Sequence, residues 1–87
     1  MSAETFPTIA DAADAWLAIG GRIYLLPSGL CEETISAQVF TCGDAPCETA
    51  RRYHATLATA PARAAMASHV HMHGRAFGSA VVLEARG

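Results

Sequence analysis

Apolar residues recur at three- and four-residue spacing early in the chain, at Ile9, Ala12, Ala13 and Trp16, which is the period of a helix with one buried face. Thr8 stands where an N-cap belongs, Asp11 follows three residues on as in a capping box with Asp in the Glu position, and Gly20 and Gly21 stop the run. These signals predict a helix over 9–19. Its inner face is Ile9, Ala13, Trp16 and Leu17, with Asp11 and Asp14 in water. A lone Trp in a small domain reads as core, although Trp also marks binding surfaces.

The pattern then changes. Arg22 to Leu26 is rich in strand formers, and Leu26-Pro27-Ser28-Gly29 suits a type I turn with Pro at the second position and Gly at the fourth. Thr34 to Thr41 alternates, with Ile35, Ala37 and Val39 on one face and Ser36, Gln38 and Phe40 on the other. A hairpin or loose meander is expected, with Cys31, Glu32 and Glu33 at its exposed tip.

From Asp44 to Gly74 the chain is Ala-rich and helical in character. Asp44 is placed to cap and Pro46 sits in the first turn, where a missing N–H costs nothing. Tyr53, Leu57 and Ala60 share a face with Ala50, which leaves Arg51 and Arg52 pointing outward. Pro61 cannot continue a helix and is expected to begin a second one, running through Ala64, Met66 and Val70 to Gly74. A helical hairpin and a kinked rod both fit. Past Gly74, Phe77, Ser79, Val81 and Leu83 alternate with Gly78, Ala80, Val82 and Glu84, a third strand that closes the fold. The expected architecture is one small α+β domain over 1–87, in the order α-β-β-α-α-β, with helices packed on one face of a three-stranded, mainly antiparallel sheet.

Composition narrows this picture. Of 87 residues, 52% are hydrophobic, but nineteen are alanines, so the core is thin and a partner or self-association, such as a homodimer, would add stability. Six acids precede position 45 against Arg22 alone, while five arginines follow it against Glu48 and Glu84. That splits the net charge of −2 into −5 and +3, suited to a partner of mixed charge and not to nucleic acid. No lysine occurs, and Ala and Arg are heavily used, as in high-GC bacterial, phage or plasmid coding. MSAETF lacks an apolar signal region, no run spans a bilayer, and three cysteines do not suit a secreted disulfide scaffold. A cytoplasmic protein that does not enter membranes is expected.

Candidate chemistry is sparse. His69, His71 and His73 would line one side of a strand about 6–7 Å apart and could hold Zn²⁺ or another transition metal. The preceding PARAAMAS argues for a helix instead, in which His69 and His73 share a face, His71 points away, and imidazoles favour the C-terminal carbonyls. Cys42, Cys47 and His54 are spaced too loosely for a zinc knuckle, and Cys47 with His54 as nucleophile and base lacks an orienting group. Arg51, Arg52, Arg63 and Arg75 offer guanidinium contacts, and Glu32 with Glu33 offers carboxylates. No P-loop, GxGxxG, nucleophile elbow or HExxH occurs.

The leading expectation is therefore a non-enzymatic interaction protein without a cofactor, encoded by a phage or mobile element, which binds and regulates or inhibits a host protein or ribonucleoprotein complex in the manner of an anti-CRISPR or other anti-defence protein. The comparison is one of type, and no motif residues are matched. Its contact residues would be Arg51, Arg52, Glu32, Glu33, Arg63 and Arg75. The alternative is a metal-binding or metal-sensing protein using His69, His71 and His73.

Overall fold

The computed structural model describes residues 5–34 and 45–85. Helix α1 spans Ile9–Ala18, capped as its sequence signals: the Thr8 hydroxyl accepts from the Asp11 backbone N–H at 3.0 Å, a contact worth about 1 kcal/mol. Gly20, at φ +87°, turns the chain out of the helix. Ala12, Ala13 and Trp16 are buried, Ile9 and Leu17 half-buried, and Asp11 and Asp14 exposed. Trp16 belongs to the core, 3% exposed, and its indole N–H donates to the Arg22 carbonyl at 3.1 Å.

Strand β1, Gly21–Leu26, opens with a glycine for a steric reason. A Cβ at Gly21 would stand 2.4 Å from Trp16 Nε1, so only glycine lets the indole lie against the start of the strand. Pro27 and Ser28 form a two-residue turn, and β2, Gly29–Thr34, returns at once beside β1. Gly29 sits at φ +139°, a conformation L side chains rarely adopt. The expected tip at Cys31, Glu32 and Glu33 is thus corrected: these residues are strand, paired with Tyr24, Ile23 and Arg22. The glutamates are tolerated there because each meets an arginine, Arg63 for Glu32 and Arg22 for Glu33. The strand expected over Thr34 to Thr41 lies outside the described residues except for Thr34, and so does the Asp44 cap.

Helices α2, Ala45–Thr56, and α3, Ala60–His73, are separate elements. The break falls at Leu57 to Thr59, where the Thr59 hydroxyl caps α3 by accepting from Ala62 N–H at 3.3 Å and Pro61 occupies the first turn. Ala50, Tyr53 and Leu57 are buried as the spacing predicts. Ala60 and Ala64 are exposed instead, because the new helix resets the rotational phase at the break. Arg52 is also corrected: it is half-buried, its guanidinium 4.1 Å from the Phe6 ring centroid and donating to the Thr5 carbonyl at 3.3 Å. Phe6 N–H donates to Thr56 Oγ1 at 2.8 Å, so the segment before α1 is strapped along α2.

The single strand expected after Gly74 is a hairpin: β3, Arg75–Phe77, then Gly78 and Ser79, then β4, Ala80–Glu84. Gly78 adopts φ +63°, which lets the chain reverse where the alternation alone reads as continuous. Among the described residues the result is an antiparallel four-stranded sheet in the order β2-β1-β4-β3, not a three-stranded one, and the element order is α-β-β-α-α-β-β. Helices α1 and α3 lie on one face of it and α2 packs on α1. The core is built around Tyr53, Ile23, Leu57, Met66 and Val70, each fully buried, and Ile23, Leu57, Met66 and Val70 are worth roughly 1.5–3 kcal/mol each by transfer. No helix among the described residues is long and apolar enough to cross a membrane.

Candidate interaction surface

The helices cover one side of the sheet, and no described helix lies on the other. Side chains alternate across strands, so Ile23 and Leu25 face the helices while Arg22 and Tyr24 face out. The same spacing on β3 presents Arg75 and Phe77. The two strands therefore carry one repeated pattern, Arg-x-aromatic, on either side of β4. Registry sets its layout: Arg22 pairs with both Glu33 and Glu84, and Tyr24 pairs with Val82, which pairs with Arg75. Val82 is only 4% exposed yet stands apart from the helix-side core, beside these long side chains.

A charge ladder crosses this face. Arg22 Nη1 lies 3.6 Å from Glu33 and its Nε 3.3 Å from one oxygen of Glu84, whose other oxygen meets Arg75 Nη2 at 2.6 Å. The Tyr24 hydroxyl donates to Glu33 at 3.2 Å. Such solvent-exposed pairs add little stability, about 0–1 kcal/mol each, but they hold the arginines in a set geometry. Beside them is a shallow depression of about 220 Å³ lined by Arg22, Tyr24, Arg75, Phe77, Val82 and Glu84. Phe77 is 63% exposed, one of the two exposed large hydrophobic residues among those described; the other is Met72 on α3. Two arginines and two glutamates leave the ladder neutral.

The six contact residues proposed from sequence fall in three places. Glu33 and Arg75 lie on the open face. Arg51 is exposed on α2, while Arg52 is engaged with Phe6 and Thr5. Glu32 and Arg63 are on the helix side, where the Arg63 guanidinium bridges Glu32 at 3.3 Å and the Leu30 carbonyl at 3.1 Å. Next to that pair is Tyr53, fully buried, its hydroxyl without a partner among the described residues. Burial, reinforced by the Glu32 charge and opposed by Arg63, pushes its phenol above the ordinary tyrosine range. Arg22, Tyr24, Phe77 and Glu84 were missed from sequence as surface residues. Their signal was present in the parallel between Arg22-Ile23-Tyr24 and Arg75-Ala76-Phe77.

The histidines are helical. His69 and His73 share a face of α3 with ring centroids 4.6 Å apart, and His71 is exposed elsewhere. His69 is harder to protonate than an ordinary histidine, first through burial and then through His73, with Asp14 of α1 acting against both. Among the described residues no three His, Cys, Asp or Glu side chains converge as a metal site, so the strand-like arrangement of His69, His71 and His73 is not formed. His54 packs edge-on against Trp16 and Tyr53, at 5.6 and 5.5 Å between centroids. Cys31 is exposed on the open face beside Tyr24; Cys42 and the side chain of Cys47 lie outside the described set. No family model, no curated protein and no solved structure matches the chain.

Proposed function

We propose that this chain is a non-enzymatic interaction protein whose open sheet face docks a protein surface of mixed charge, and that through this contact it regulates or inhibits a host protein or ribonucleoprotein complex in the anti-defence manner. The observation that carries the reading is the sheet face that no described helix covers, where exposed Phe77 and Tyr24 are set among arginines that glutamates hold in place. Tyr and Arg are the residues most often dominant at protein interfaces, and Phe is enriched there. A neutral ladder favours a protein over a nucleic acid, because each guanidinium already has a carboxylate and no excess positive charge is left to displace phosphate counterions.

The experiment is purification from the native host of tagged wild type, Tyr24→Ala/Phe77→Ser and Arg51→Ala, followed by reconstitution with the isolated partner. Loss of about thirtyfold or more in affinity for the sheet-face double, with Arg51→Ala unchanged, is the expected result for a contact of hot-spot strength. Hydrogen exchange on binding should slow in β1, β3 and β4. Equal binding by the double variant would overturn the proposal, and concentration-dependent self-association removed by the same substitutions would assign the face to a homodimer.

A further inference from the structure

We propose that His69 and His73 form a two-ligand site for a divalent transition-metal ion, with Cu²⁺ and Ni²⁺ favoured over Zn²⁺. The residues are one helical turn apart on a helix anchored by buried Met66 and Val70, so their backbone positions are set before any ion arrives. Their ring centroids stand 4.6 Å apart with the planes tilted by 48°. An imidazole nitrogen binds such an ion at about 2.0–2.1 Å, which places the metal about 3.2 Å from each ring centre. Two rings meeting at a right angle are then about 4.5–4.6 Å apart, and two at the tetrahedral angle about 5.2–5.3 Å. The observed separation is that of two imidazoles at adjacent positions of a square-planar or octahedral ion once their nitrogens turn toward a common point. That geometry belongs to Cu²⁺ and Ni²⁺, with water completing the shell.

His71 is the internal control: two residues from each, it is turned away and borders a separate depression lined by Leu25, Ala67, Ser68 and Met72. The i, i+4 spacing brings His69 and His73 together on α3, whereas His71, two residues from each, cannot join them. The site is on the helix side of the molecule, independent of the open sheet face, so either proposal can fail alone.

The test is calorimetric titration of untagged, chelator-free protein with Cu²⁺, Ni²⁺ and Zn²⁺, with electron paramagnetic resonance on the Cu²⁺ sample. One ion per chain with coupling to two nitrogens is expected, bound more tightly as Cu²⁺ or Ni²⁺ than as Zn²⁺. His69→Asn and His73→Asn should each lower Cu²⁺ affinity about tenfold or more, at least the loss seen when outer-shell partners of a metal are removed, while His71→Asn changes it little. His73 is exposed, so its replacement leaves the fold intact, and circular dichroism checks this. An equal loss in His71→Asn, or wild-type affinity no greater than that of the His69→Asn/His73→Asn double, would overturn the site.

Discussion

Replacing Tyr53 by Phe should stabilise the protein. The ring is fully buried and stacks on Trp16 with centroids 4.6 Å apart, and Phe preserves both features. What Phe removes is a hydroxyl that finds no partner among the described residues, and leaving such a group buried costs about 1–3 kcal/mol. Allowing for the small void left by the oxygen, the gain should be about 1 kcal/mol at neutral pH, or roughly 4–8 °C in Tm for a domain of this size. A second signature follows from linkage. Burial raises the Tyr53 phenol in the folded state, with Glu32 adding and Arg63 opposing, whereas the unfolded phenol titrates near the usual value of about 10. The unfolded chain therefore loses this proton first, and its contribution to stability falls as pH rises above about 10, by up to about 1.4 kcal/mol per pH unit. The advantage of Tyr53→Phe over wild type should accordingly widen in alkali. Urea denaturation followed by the fluorescence of Trp16, the single tryptophan, at pH 7 and near pH 10.5 measures both. A variant less stable than wild type by 1 kcal/mol at pH 7, with no widening in alkali, would show that the hydroxyl is hydrogen-bonded and refute the reasoning.

Three further outcomes follow from close approaches and pairings. Gly74→Ala should cost at least about 2 kcal/mol in urea melts, because its Cβ would meet the Val70 and Val82 carbonyl oxygens at 2.6 and 2.7 Å, whereas Gly78→Ala, strained only by φ +63° in open space, should cost about 1 kcal/mol. A double-mutant cycle on Glu32 and Arg63 should give a coupling above about 1 kcal/mol, since the Glu32 side chain is only 11% exposed, while the same cycle on the more exposed Arg22 and Glu33 should stay below about 0.5 kcal/mol. Thr56→Val removes the acceptor for Phe6 N–H and should release the strap ahead of α1, seen as faster proteolysis before residue 9 with a loss of about 1 kcal/mol.

The open face is a consequence of how little bulk the chain has to bury. Among the described residues the large apolar side chains form one layer between helices and sheet, and the outer sheet face carries Arg22, Tyr24, Arg75 and Phe77 with their carboxylate partners. The same thinness makes Trp16 central, because one indole contacts Tyr53 and His54 of α2, reaches the Arg22 carbonyl of β1 and requires glycine at position 21.

Local rules read from sequence determined the elements whose signals lie within a few residues: the Thr8 cap and glycine stop of α1, the Pro27-Ser28 turn, and Pro61 in the first turn of α3. They also placed Ala50, Tyr53 and Leu57 on a buried face, since a helix repeats its contacts every three or four residues. Tertiary structure decided the rest. Whether Cys31-Glu32-Glu33 is a turn or a strand depends on arginines at positions 22 and 63, and whether residues 75–84 form one strand or two depends on Gly78 taking a positive φ so that β3 can pair back on β4. Arg52 left solvent because Phe6, 46 positions earlier, came to lie beneath it. Period and capping are properties of neighbouring residues and are written in the chain. Registry between strands, and the side of a sheet that helices leave uncovered, belong to pairs of residues far apart in sequence and exist only once the chain has folded.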